Sequence, residues 1–119
     1  MIWTPTEASA GRTPTPELLA DLGAYVQEVG AATVMAGGLR PISEGARAVS
    51  RGGEVVVTDG PFAEAKEVVA GFSIVEAAST GEAVGWARRF TQIHADHGWD
   101  GTTEVRPLVP AGPPGAPPA

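Results

Sequence analysis

The residues best suited to handle a proton or hold an anion crowd into one short segment. Asp59, Glu64, Lys66 and Glu67 fall within it, and Lys66 is the only lysine of the chain. A lysine among carboxylates can hold an anionic ligand or orient an acid for proton transfer. The same residues can instead form a solvated salt bridge. Asp59 precedes Gly60-Pro61. It reads either as a general base or ligand acceptor, or as an Asx-turn that fixes a chain reversal. Glu64 is a partner for Lys66 or an acid/base group of its own, since two carboxylates in one loop separate their pKa values when one is buried. Pro61 fixes φ, and Phe62 is an anchor that can also wall a pocket. A second cluster, His94 and His97 with Asp96 and Asp100, offers two imidazoles without a third strong ligand. It reads as a helix C-terminus that favours histidine rather than as a metal centre, so no metal is expected.

Composition excludes several classes of function. The 119 residues suffice for one compact domain, with 43% apolar and 18% charged residues and a mean hydropathy of +0.03. There is no cysteine, which removes disulfides, thiol nucleophiles and Cys-ligated zinc or iron–sulfur clusters. The net charge of -6 is the wrong sign for a protein that tracks phosphates, so no nucleic-acid partner is expected. The longest nearly apolar stretch, Val68 to Ala78, is 11 residues and contains Glu76. A membrane span needs roughly 20, so no membrane partner is expected. The opening residues show no basic start followed by an apolar run, and a cytoplasmic location follows as the default expectation. No Gly-rich phosphate loop, dinucleotide fingerprint or nucleophile elbow is present, and no cofactor is expected.

The elements that must position these residues follow from periodicity and punctuation. Thr15 as N-cap, Pro16 at the first position and the spacing of Leu18, Leu22, Tyr25 or Val26, and Val29 predict a helix over 16–29, stopped by Gly30. Residues 33–39 read as a strand that loosens at Gly37 and Gly38. Ala46 to Ser50 and Glu54 to Thr58 read as a hairpin about Arg51-Gly52-Gly53. Val68 to Ala77 reads as a strand with Gly71 as a bulge or close-approach point. Ser79 and Glu82 have capping-box spacing for a helix over 80–91, whose apolar stripe is Ala83, Trp86, Ala87 and Phe90. Residues 94–101 read as a loop and 103–109 as a last strand. With a short strand at Met1 to Thr4 the plan is βαββαβ, an α+β, ferredoxin-like protomer with an antiparallel sheet. Six of the 11 prolines fall between 107 and 118, so the domain is expected over 1–109, with 110–119 a disordered Pro/Gly-rich tail.

Two helices cover one face of such a sheet, and the other face should then alternate apolar with polar. Here it does not. Val55, Val56 and Val57 are consecutive, as are Val34, Met35 and Ala36, and Phe72, Ile74 and Val75 occupy both faces of their strand. Leaving such side chains wet costs about 1.5–3 kcal/mol each. A second copy related by a two-fold axis is the simplest cover. A homodimer packed sheet to sheet is therefore expected, with a cavity between or beside the sheets; the other reading is a monomer whose long loops fold back over the sheet.

The segment VVTDGPFAEAKEVVAGF, residues 56–72, resembles the YCII-related proteins, in particular the subgroup with an Asp-Gly-Pro-Phe signature. Asp59, Gly60, Pro61, Phe62, Ala63, Glu64, Lys66, Glu67, Gly71 and Phe72 carry the resemblance. It extends over most of 15–109, including Glu82, Ala83 and Trp86 and the closing Glu104 to Leu108. Ala65 stands where relatives carry a hydroxyl, and Ser73 where an aromatic is common, a change that either enlarges the pocket or weakens ligand stacking. The resemblance implies a dimeric α+β barrel and a small-molecule-binding protein. If catalytic, it would be a cofactor-independent acid/base enzyme of lyase, isomerase or cyclase type. The resemblance also adds His94 as a proton-transfer group outside the motif, since a histidine before the last strand is common among relatives. Asp59, Glu64, Lys66 and His94 are then the candidate catalytic residues, and Pro61, Phe62, Phe72 and Ser73 the candidate ligand-binding ones. The alternative is a non-catalytic accessory or regulatory protein that binds a partner through the same fold.

Overall fold

The computed structural model of the protein describes residues 1–62, 67–110 and 112. The expectations placed on Glu64, on Lys66 and on nearly all of the 110–119 tail lie outside these residues. In chain order the elements are β1 (Ile2–Pro5), a single-turn helix α1 (Glu7–Ala10), α2 (Pro16–Val29), β2 (Thr33–Gly38), β3 (Ala46–Arg51), β4 (Glu54–Asp59), β5 (Gly71–Val75), α3 (Thr80–Asp96) and β6 (Gly101–Glu104).

Local chemistry sets the helix ends. The Thr15 hydroxyl accepts the Leu18 N–H at 3.2 Å, and Gly30 leaves α2 at a φ of 60° that side-chain-bearing residues resist. Ser79 caps α3 by accepting the Glu82 N–H at 3.1 Å, while the Glu82 carboxylate reaches back to the Ala78 N–H at 3.3 Å. Of the two candidate inward residues in α2, Tyr25 is buried and Val26 is exposed.

The main sheet is antiparallel in the order β2-β5-β1-β6, the ferredoxin-like arrangement. Both long helices lie on one face. The Trp3 ring meets Phe90 and His94 of α3, and the Thr103 hydroxyl meets Thr91 at 2.7 Å. Trp3, Leu18, Tyr25, Val29, Ala83, Ala87 and Trp99 are buried and form the core. On the opposite face the register aligns Ile2 with Phe72 and Met35 with Ile74, and Met35 is 57% exposed. The third component is a separate two-stranded sheet, β3–β4, inserted between β2 and β5. Its neck is closed by the Leu39 N–H donating to the Ala70 carbonyl at 2.8 Å.

Three boundaries differ from the sequence expectation. The expected loop from His94 is helix to Asp96, ending at His97 and at Gly98 with its φ of 78°. The reason is that His94 occupies the next inward position after Ala83, Ala87 and Phe90 and is buried there. The last strand is Gly101–Glu104 rather than 103–109, because its pairing with β1 runs from Pro5↔Gly101 to Ile2↔Glu104. The strand expected from Val68 begins only at Gly71, and the bulge lies in β2 between Thr33 and Met35; Gly71 is instead the close-approach point, where a Cβ would lie 3.3 Å from the Gly37 carbonyl oxygen. Among the described residues no helix is long and apolar enough to cross a membrane.

Candidate functional site

The Asp-Gly-Pro-Phe turn sits at the base of the β3–β4 hairpin. Asp59 ends β4 opposite Ala46 and is exposed. The Gly60 N–H donates to the Gly45 carbonyl at 2.8 Å, and a Cβ on Gly60 would lie 1.7 Å from the Ile42 carbonyl oxygen, so only glycine fits. The Gly60-Pro61 peptide is cis. Pro61 is exposed and Phe62 half-buried, with the Arg47 guanidinium 4.0 Å from the Phe62 ring centroid. The described part of the motif thus fastens the turn to the hairpin base and to the Ile42–Glu44 turn that precedes it.

Phe72 and Ser73 lie elsewhere, on the main sheet. Both line an apolar chamber of about 280 Å³ between the sheet and the helices. Its origin is legible in the register. Ala36 pairs with Ser73, and Gly38 and Trp3 both pair with Gly71. These positions share the helix-facing side with Trp3, and all but Trp3 carry little or no side chain, so a void opens where larger residues would have filled it. Leu22, Tyr25 and Val26 of α2 and Phe90 of α3 close it. Tyr25 donates its hydroxyl proton to the Trp86 carbonyl at 3.2 Å, and its burial pushes the phenol pKa up against the opposing pull of Arg89. Thr91 gives its proton to the Ala87 carbonyl at 2.7 Å, which leaves the Thr103 hydroxyl, on the chamber wall, donating to Thr91. Phe72 and Ser73 also line a wider cleft of about 540 Å³, between the far end of β5 and the segment Val105 to Leu108 that follows β6.

His94 is in neither place. It is 5% exposed, its Nδ1 lies 3.0 Å from the Phe90 carbonyl, and its ring is 4.3 Å from that of Trp3. Burial holds its pKa below the ordinary imidazole value; the Phe90 carbonyl opposes this, and nearby His97 adds to it. His97 itself bonds Asp21 of α2 at 2.7 Å. A neutral buried imidazole that must charge on unfolding gives stability a defined pH dependence. Above the unfolded value, about 6.5, the two states bind the same proton count. Below it the unfolded chain binds more, so stability falls as pH drops through that value toward the lowered folded one. Urea titrations between pH 7.5 and 5 are expected to show this loss in the native chain and a flatter profile in His94→Phe. A wild-type profile flat to pH 5 contradicts it.

The structure therefore brings Phe72 and Ser73 together, keeps Asp59, Pro61 and Phe62 at the hairpin base, and puts His94 in the core. None of the described carboxylates or imidazoles lines the chamber or the cleft. Among the described residues no group of three His, Asp or Glu is placed to hold a metal. The sequence reading missed Trp3 and Tyr25 as chamber walls. The available signal for the chamber was the run of Ala36, Gly37 and Gly38 facing Gly71.

Compared with known proteins, residues 1–111 match the YCII-related domain. Over 57 residues the chain is 44% identical to an uncharacterized protein of Rhizobium meliloti (strain 1021), a match covering 48% of this chain and 44% of that protein. The chain thus aligns with under half the length of the curated relative.

Proposed function

Because this chain belongs to the YCII-related domain family, we propose that it is a homodimeric small-molecule-binding protein whose ligand enters the chamber between helices and sheet. The observation that carries this reading is the 280 Å³ void walled by Trp3, Tyr25 and Phe90 beneath glycine- and alanine-lined strands. A dry cavity of about 150 Å³ already takes benzene, so this one suits a one- or two-ring apolar molecule. The hydroxyls of Ser73, Tyr25 and Thr103 supply a few polar contacts. Binding without proton transfer is favoured because no described carboxylate or imidazole lines the chamber wall. The homodimer is supported by the back of the sheet, where Met35, Ile2, Phe72 and Ile74 have no helix over them.

The test is thermal unfolding of the full chain with indole, p-cresol, 2-naphthol and naphthalene-1-acetate at millimolar concentration. A ligand at a hundred times its Kd stabilises by about 2.7 kcal/mol, a shift of several degrees for a domain of this size. At least one of these probes is expected to raise Tm and quench tryptophan fluorescence. If all four leave both unchanged, the chamber is not a ligand site.

A further inference from the structure

A short relay fixes where the protons lie along one wall of the chamber. The Thr91 hydroxyl, on α3, is 2.7 Å from the Ala87 carbonyl oxygen and 2.7 Å from the Thr103 hydroxyl. A carbonyl oxygen only accepts, so the single Thr91 proton goes to Ala87. Thr103 must then give its own proton to Thr91. Thr103 lines the chamber, and what its hydroxyl has left to offer there is lone pairs alone. Tyr25, a second wall, has committed its proton in the same way, to the Trp86 carbonyl at 3.2 Å. Ser73 adds a hydroxyl that can turn either way. No described side-chain carboxylate, imidazole or guanidinium lines the chamber, so no charged group there competes with the relay.

We infer that the chamber selects ligands that bring a proton: a neutral aromatic molecule whose O–H or N–H group meets Thr103, in preference to an ether, a ketone or a carboxylate of the same size. The inference rests on the chamber reading and adds to it the direction of the hydrogen bond. A ligand that seals the chamber from water must itself supply the proton that the Thr103 and Tyr25 lone pairs take, or leave them buried and unpaired. An ether or carbonyl oxygen at Thr103 sets lone pair against lone pair. A carboxylate adds a buried charge that no described cationic side chain of the chamber wall offsets. A site that hydrogen-bonds its ligand discriminates through the polar group left unpaired, which costs far more than a misplaced methyl group. Thr91 is absent from the chamber wall and lines the groove on the outer side of α3 and β6. It touches no ligand in this arrangement and is a positioning residue, which sets the direction in which the Thr103 proton points.

Isomeric probes separate the proton from size and apolar area. The isomers p-cresol and anisole differ in this respect, as do 3-methylindole and 1-methylindole: only the first of each pair has a proton to give. Their Kd values are measured on the full chain by isothermal titration calorimetry. The donor of each pair is expected to bind the wild type about tenfold or more tightly than its isomer. In Thr91→Val the Thr103 proton is released to turn into the chamber. Anisole is then expected to gain affinity, and the advantage of p-cresol to fall below about threefold. Thr91→Ser, whose hydroxyl again gives its proton to the Ala87 carbonyl, is expected to restore the wild-type preference. A merely structural role for Thr91 would weaken both probes alike and leave their ratio unchanged. Equal affinities within both pairs in the wild type, or a p-cresol preference that survives Thr91→Val, overturn the inference and leave the chamber standing as a ligand site. If none of the four probes binds, the chamber reading falls and the inference with it.

Discussion

Trp3→Ala is expected to lose about 3–5 kcal/mol of folding stability, the usual range for truncating a buried aromatic to alanine. Trp3 is 7% exposed and is the residue through which the four-residue strand β1 joins the core. Its ring meets Phe90 edge-on at 5.7 Å and lies 4.3 Å from His94. Its far edge presses on Gly101, where a Cβ would come within 2.5 Å of the indole. Removing it leaves a void beside the existing chamber that the surrounding strands cannot close, because their facing positions are glycine, alanine and serine. With domain stabilities of about 5–15 kcal/mol, this places the variant near the edge of folding. Urea unfolding followed by far-ultraviolet circular dichroism checks it. A loss below about 1 kcal/mol would mean that Trp3 is not central to the core.

Ser73→Leu is expected to abolish ligand binding while the protein stays folded. The Ser73 side chain lines the chamber, and a leucine there occupies volume that is otherwise empty. Filling an existing void avoids the strain of overpacking a close-packed site. Affinity for any probe that stabilises the wild type is expected to fall at least tenfold, about 1.4 kcal/mol, with Tm held or raised. Gln27→Leu, an exposed change on α2, is the control and leaves affinity alone. If Ser73→Leu binds as wild type does, the ligand sits in the cleft or elsewhere. Because Phe72 and Ser73 line both spaces, Ala36→Leu, which reaches the chamber alone, tells the two apart.

Helix α2 was legible to the residue, because cap, proline, apolar spacing and terminal glycine all favour one span. The hairpin was legible for the same reason: its valines and the Arg51-Gly52-Gly53 turn need no distant partner to declare themselves. Trp3 and Trp99 were not, since each stands alone in its segment and neither joins an apolar period. Only the return of β1 to the middle of the sheet makes Trp3 central, and the turn after α3 does the same for Trp99. His94 was misread as the start of a loop because histidine and aspartate around a glycine look like a helix exit. Burial against Trp3 and Phe90, with Nδ1 on the Phe90 carbonyl, turns that residue into one more inward position of α3.

What the chain's residues settled unaided is local: which stretches are helix or strand, that the chain is punctuated at Asp59-Gly60-Pro61, and that more apolar strand surface exists than two helices can shield. Such features depend on neighbours a few positions apart, and sequence spacing encodes them. Tertiary structure alone decided where the empty space lies. A chamber forms only where Ala36, Gly38, Gly71 and Ser73 from two separated strands come into register beneath Tyr25 and Phe90. The same long-range register put Ser73 at its wall, turned Phe72 to the other face of the sheet and left Asp59 at the base of a hairpin, because strand pairing between distant segments, not residue type, determines which side chains share a face.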